Sequence, residues 1–240
     1  MAKKKIDLGY TPSTYQQNVF NFVQHGTGNA VISALAGSGK TLTLVTCMKL
    51  VPKTQKCLFL AFNKRIVNTL QEKVKNYSNC YVKTMHSLGF AILRRNLGDN
   101  IEKNDYKYRS YIKSNINELT SIQDEHLTTS QVNEYIDSIT KLVDFARFNL
   151  AQSENDIEKI ARKYDIPINF DEAFVVKKVL KWGKENTNVI DYTDMVWLPF
   201  ELSLRPIGLQ YDWIFADEVQ DFSLVYNQLM FKCFKRGTRF

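Results

Sequence analysis

The sequence has no apolar stretch approaching the roughly 18 to 20 residues that a membrane-spanning helix requires, so it predicts no membrane partner. Its opening residues, MAKKKIDLGY, carry charge but lead into no apolar segment, so they do not form a secretory signal. Cysteine is sparse: Cys47, Cys57, Cys80 and Cys233 are scattered, with no CxxC pair among them. That excludes the usual zinc spacings and a disulfide framework, and it suits reduced thiols in a cytoplasmic protein (the host's cytoplasm if the source is viral). Internal repeats and low-complexity blocks are also missing, which leaves a globular fold of one large domain or two small ones.

What is present is a sizeable apolar fraction, 44% of 240 residues, and an uneven charge. Residues 1–113 hold 18 Lys and Arg against 5 Asp and Glu, whereas residues 114–240 hold 14 against 20. A basic first half suits a polyanionic partner, and nucleic acid is the obvious one; the competing reading is that these lysines only solvate helix faces.

Chemistry concentrates in ISALAGSGKTLTLV, residues 32–45. Val31, Ile32 and the small residues after them read as a buried strand. Gly37 and Gly39 allow a sharp turn, and Leu42, Leu44 and Val45 give the following helix an apolar side. A strand, a glycine loop and a helix N-terminus form an anion site, because free amides converge there and the helix dipole favours negative charge. In such a phosphate loop Lys40 reaches the β- and γ-phosphates and the Thr41 hydroxyl binds Mg²⁺. The general pattern has Gly six residues before the Lys, where this chain has Ala34.

Apolar runs at 30–35, 57–62 and 213–216, with a weaker one at 80–84, are expected as strands separated by helical stretches, a βαβ pattern. From about 105 to 185 no strand is expected. There Val132, Tyr135, Ile136, Ile139, Leu142, Val143, Ala146 and Leu150 recur at helical spacing. Residues 100–187 thus read as an all-helical insertion, and 1–99 with 188–240 as a discontinuous α/β core. Tyr106, Lys107, Tyr108, Arg109 and Tyr111 interleave aromatic and basic types; core tyrosines on a solvated helix are favoured over a DNA contact.

A phosphate loop needs a carboxylate at the C-terminal end of another buried strand. YDWIFADEVQD, residues 211–221, supplies one. Asp217 would hold Mg²⁺, Glu218 would act as general base toward water, and Gln220 and Asp221 would couple the γ-phosphate to neighbouring elements. Taken alone, Asp217 serves equally well as a helix cap.

Six segments in order resemble the UvrD/Rep/PcrA-like group of superfamily 1 DNA helicases. Ser13-Thr14-Tyr15-Gln16 resembles the Q motif; Ala34 to Thr41 is similar to that family's phosphate loop, which accepts Ala at its first position. Leu60-Ala61-Phe62-Asn63-Lys64 resembles motif Ia, and Thr84-Met85-His86-Ser87-Leu88-Gly89 motif Ib. Asp191-Tyr192-Thr193-Asp194-Met195 is similar to the acidic-aromatic segment before motif II. Asp217-Glu218-Val219-Gln220-Asp221 resembles motif II itself, with Val219 where Ala is commoner.

The resemblance implies a RecA-like parallel sheet flanked by helices, carrying an all-helical inserted subdomain. It implies ATP and Mg²⁺ as ligands, with Gln16 reading adenine and Ala34, Leu35, Ala36, Gly37, Ser38, Gly39, Lys40, Thr41 and Gln220 around the nucleotide. It implies single-stranded DNA and a duplex junction as partners. Phe62 would stack a base, while Asn63, Lys64, Thr84 and His86 would bind backbone phosphates. Movement would run 3′ to 5′. Such helicases carry a glutamine-bearing motif III and a second RecA-like domain with phosphate-stabilising arginines. Residues 222–240 are too few for these, and the next strand is expected only at about Phe240. Weak ATP binding and slow hydrolysis are therefore expected of this chain by itself, with the second motor domain supplied by a further segment or another chain. The alternative is a non-catalytic half-helicase that grips DNA or protein. A kinase or GTPase branch would want an NKxD segment, and Asn63-Lys64-Arg65-Ile66 lacks the Asp.

Overall fold

Apolar runs become strands where a neighbour completes the hydrogen-bond ladder, and the computed structural model shows which runs have one. It describes residues 9–35, 37–120, 128–168 and 170–240, the side chain of Phe170 excepted. In chain order the elements begin with helices α1 (Thr14–His25) and α2 (Lys40–Leu50), strand β1 (Cys57–Ala61), α3 (Lys64–Val74), β2 (Cys80–Thr84) and α4 (Met85–Leu97). Then come β3 (Glu102–Lys103), α5 (Lys107–Ser114), α6 (Ile116–Leu119), α7 (Thr129–Phe148), α8 (Glu154–Lys163), α9 (Phe170–Glu185) and β4 (Val189–Ile190). The chain closes with α10 (Asp194–Glu201), β5 (Tyr211–Ala216), α11 (Leu224–Lys232) and β6 (Phe234–Arg239). No helix among the described residues is long and apolar enough to cross a membrane.

Two compact units emerge. The first holds residues 1–85, 208–221 and 233–240; the second holds 86–207 and 222–232. The first is an α/β unit whose strands lie in the order β2-β1-β5-β6, all parallel. β1 is central and buried at every position, as a strand covered on both faces must be. Cys47, Met48 and Val51 of the α2 region, Leu70 and Val74 of α3, and Phe20 and Val23 of α1 fill the core with Phe59 and Trp213. Ser13 caps α1 through a reciprocal pair with Gln16, and Asn63 caps α3 by accepting the Ile66 amide.

Two strand expectations need correction. The 30–35 run takes no place in the sheet: the Ala30 amide donates to the Phe240 carbonyl at 2.8 Å, but Val31 and Leu35 are 86% and 85% exposed. β6 is the edge strand beside β5, and beyond the Ala30–Phe240 bond no backbone bond among the described residues joins the run to it, so the run's side chains are left in solvent. The strand expected only at about Phe240 is β6, which lies earlier, at Phe234–Arg239. Its Arg239 lies over the Trp213 ring at 4.0 Å and donates to the carbonyls of Phe22 and Gly28.

The second unit is helical, with β3 and β4 as a short parallel pair. In α7, Ile136, Ile139, Leu142, Val143 and Ala146 are buried, the face that the helical spacing predicts. Beneath them lies a charged knot. Arg147, 1% exposed, donates from both terminal nitrogens to Asp191 (2.8 and 2.7 Å) and from one to Asp194 (2.8 Å). Lys107 and the Tyr108 hydroxyl each reach Asp194 at 2.7 Å.

Candidate nucleotide site

The C-terminal edge of a parallel sheet is where ligands of open α/β folds bind, and the candidate residues of the first unit gather there by register. Ala61 pairs with Thr84 and Leu60 with Ala216, so Phe62–Lys64, Thr84 and Asp217–Glu218 all follow the same ends of neighbouring strands. The Asp217 amide donates to the Leu60 carbonyl at 3.3 Å, which prolongs the β1–β5 ladder by one rung and sets the height of the carboxylate.

The phosphate loop meets this edge. Gly37 and Gly39 have φ of 78° and 84°, left-handed backbone that favours glycine, and Gly39 caps α2 with no side-chain bond. The first amides of α2 are thus left for an anion. Lys40 donates its ammonium to the carbonyls of Ala34 (3.1 Å) and Leu35 (3.5 Å), so the loop curls around its own cation. Ser38, exposed, donates its amide to Leu35 at 3.3 Å. Ala36 lies outside the described residues.

The contact that defines the site is between Thr41 and Asp217. Thr41 Oγ1 donates to Asp217 Oδ2 at 2.7 Å across 176 positions of sequence. Asp217 is buried, and its other oxygen accepts the Glu218 amide at 3.1 Å. Two hard oxygens side by side fit magnesium, which is held through one or two carboxylates together with waters and substrate phosphates rather than by a protein-only cage. Glu218 is exposed and stands at φ 52°, a left-handed conformation that a side chain rarely adopts. Its carboxylate accepts from Gln220 Nε2 at 2.6 Å, and the Asp221 amide closes the turn on the Glu218 carbonyl at 3.0 Å.

Gln16 sits beside the loop: its Nε2 donates to Thr43 Oγ1 at 3.0 Å and its Oε1 accepts the Ser13 amide at 3.0 Å. Its amide therefore ties the start of α1 to α2. Phe62 is 59% exposed, a ring on the surface rather than a core plug. Lys64 is exposed, and Asn63, also exposed, spends one oxygen on its cap.

His86 belongs to the second unit and is set in rings. It stacks on Tyr192 with centroids 3.6 Å apart and meets Tyr226 edge-on at 5.7 Å. Burial pushes it down to about 4 against the pull of the Asp191 carboxylate, so the ring is neutral at pH 7. Its Nε2 is buried and has no hydrogen-bond partner among the described residues.

Sequence reasoning missed the buried pairing of Lys107 and Arg147 with Asp191 and Asp194. The only signal was two acids three residues apart in DYTD beside an apolar run, a pattern also common on surfaces.

No curated protein matches the chain. Among protein families, the UvrD/REP helicase N-terminal domain matches residues 15–240. That span takes in the phosphate loop, the DEVQD turn and all of the described sheet, and so this chain belongs to the UvrD/REP helicase family as an N-terminal, RecA-like domain.

Proposed function

We propose that the chain is the ATP-binding motor domain of a DNA helicase that moves along single-stranded DNA and unwinds duplex. The carrying observation is the 2.7 Å contact of Thr41 with Asp217, which joins the phosphate loop to the acidic turn. Lys40 neutralises the β- and γ-phosphates by exchanging the Ala34 and Leu35 carbonyls for phosphate oxygens. The open N-terminal amides of α2 hold the remaining charge. Thr41 and Asp217 hold the magnesium ion, which when bound offsets charge spread over the transferring phosphoryl oxygens. Glu218 takes a proton from the attacking water, with Gln220 orienting its carboxylate. Gln16 fixes the loop against α1 and meets the base.

DNA lies, in this reading, across the ends of β1 and β2. Phe62 stacks a base whatever its identity, and Asn63, Lys64 and Thr84 hold phosphates that position the strand without reading it. His86 carries no charge at neutral pH, so any phosphate contact it makes is as a neutral donor. Residues 100–187 serve, in this reading, as the inserted subdomain of the motor. The arginines that stabilise a transferring phosphoryl group are worth about 10³- to 10⁵-fold in related chemistry and belong to a second motor domain. Residues 1–240 by themselves therefore bind Mg-ATP weakly and hydrolyse it slowly.

Titrating a fluorescent ATP analogue with and without Mg²⁺ tests the reading. Binding that needs Mg²⁺ and falls about 100-fold in Lys40→Ala supports it. Affinity that ignores both the metal and Lys40 defeats it.

A further inference from the structure

One pair of side chains in the first unit has chemistry that nucleotide and DNA binding do not use. Cys57 opens β1 and Cys80 opens β2, and the parallel register sets their Cα atoms directly opposite. Adjacent strands lie about 4.8 Å apart, within the roughly 4.4 to 6.8 Å that a disulfide spans between Cα atoms. The Cys57 thiol already donates to Cys80 Sγ at 3.1 Å. Closing to a covalent bond of about 2 Å brings the two sulfurs about 1 Å nearer.

We propose that Cys57 and Cys80 are a redox modification site, forming a reversible intrachain disulfide when the protein meets a hydroperoxide.

The two thiols differ in a way that orders the steps. Cys80 is half-buried, where Cys57 is fully buried, and borders a surface groove with Lys75, Tyr77 and Tyr81, so of the two thiols it is the one nearer a small oxidant. The hydrogen bond from Cys57 and the charge of Lys49 hold its thiol below the usual range, against the opposing effect of burial. Cys57 is fully buried, and its bond to Cys80, together with burial, pushes its thiol up. Cys80 is thus the attacking thiolate and Cys57 the resolving thiol.

In the first step Cys80 sulfur attacks the outer peroxide oxygen: an S–O bond forms, the O–O bond breaks, and the leaving alkoxide takes a proton from water. In the second step Cys57 sulfur attacks Cys80 sulfur: the S–S bond forms, the S–O bond breaks, and water leaves with the Cys57 proton. Two thiols lose two electrons to one hydroperoxide, and any thiol reductant reverses the change. Intracellular disulfides are generally of this transient, sensing kind. The bond would pin the entry ends of β1 and β2, whose opposite ends carry Phe62–Lys64 and Thr84.

The test is to expose the reduced full chain to hydrogen peroxide and follow intact mass and a non-reducing peptide map. The expected result is a loss of about 2 Da and a Cys57–Cys80 linked peptide, both reversed by dithiothreitol, and no such peptide in Cys80→Ser. The proposal falls if Cys80 instead gains oxygen, about 32 Da as sulfinic acid, with no linked peptide. It falls equally if both thiols are still alkylated on unfolding after the oxidant. Neither readout depends on ATP or DNA, so failure here leaves the helicase reading untouched.

Discussion

Two clusters in this protein each bring a cation and carboxylates into one neighbourhood from distant sequence, but only one of them pairs the two, and they are built in opposite ways. Around Arg147 the carboxylates of Asp191 and Asp194 are closed by guanidinium, ammonium and hydroxyl donors, away from solvent. Around Lys40 the partners are backbone carbonyls of a glycine loop, the helix start has no side-chain cap, and Glu218 is exposed. In the buried knot both carboxylates are already matched to donors, and Arg147 Nε alone of its guanidinium nitrogens has no partner among the described residues; breaking the knot exposes uncompensated charge. A loosely satisfied rim can exchange its bonds at small cost. Removing a cation from the first is therefore a stability experiment, and from the second a binding experiment.

The largest expected effect is on the knot. Arg147→Met leaves two buried carboxylates short of donors and lowers stability by about 3 to 5 kcal/mol. Thermal melting should fall by about 10 °C, while Lys40→Ala shifts it by no more than about 1 °C. A melting point of Arg147→Met near that of the parent chain would break the comparison.

Next comes pH. His86 is held at about 4 in the folded chain against 6.5 when free, so between those values the unfolded state binds more protons. Stability is full above pH 6.5 and falls as the pH drops toward 4, by about 2 kcal/mol after allowing for the ring's partial exposure. Urea unfolding across that range should show the slope in the parent chain and a flatter one in His86→Phe, which also removes the orphaned Nε2 from its aromatic setting.

The smallest effect sharpens the surface side. Phe62→Ala should weaken single-stranded DNA binding by about 1 to 3 kcal/mol, as for one stacked base, in a fluorescence anisotropy titration. Melting should not move, because the ring is largely in solvent. A stability loss without an affinity loss would make Phe62 a packing residue.

The sequence displayed what depends on local pattern. Buried parallel strands announce themselves as apolar runs, and β1 and β5 were legible for that reason. The α7 stripe was legible through its spacing, and the sharp turn before α2 through the glycines that its backbone demands. Features decided by a distant partner were not legible. Residues 30–35 look like a strand, but among the described residues only Ala30 bonds to the sheet's edge, at the Phe240 carbonyl. β6 itself, FKRGTR, looks like surface chain, and its place is set by the parallel ladder to β5, with Arg239 lying over Trp213. Lys107 lay in a segment read as a solvated helix face, and nothing local marked Arg147; both are buried because Asp191 and Asp194, more than 40 residues away, accept them.

The left-handed backbone at Glu218 sets fold and chemistry against each other at one position. Left-handed geometry costs a non-glycine residue about 1 to 3 kcal/mol, and glycine adopts it freely. A Glu218→Gly chain should be hardier than its parent and yet lack the group assigned to water. Screens that reward thermal robustness alone would drift toward discarding this acid.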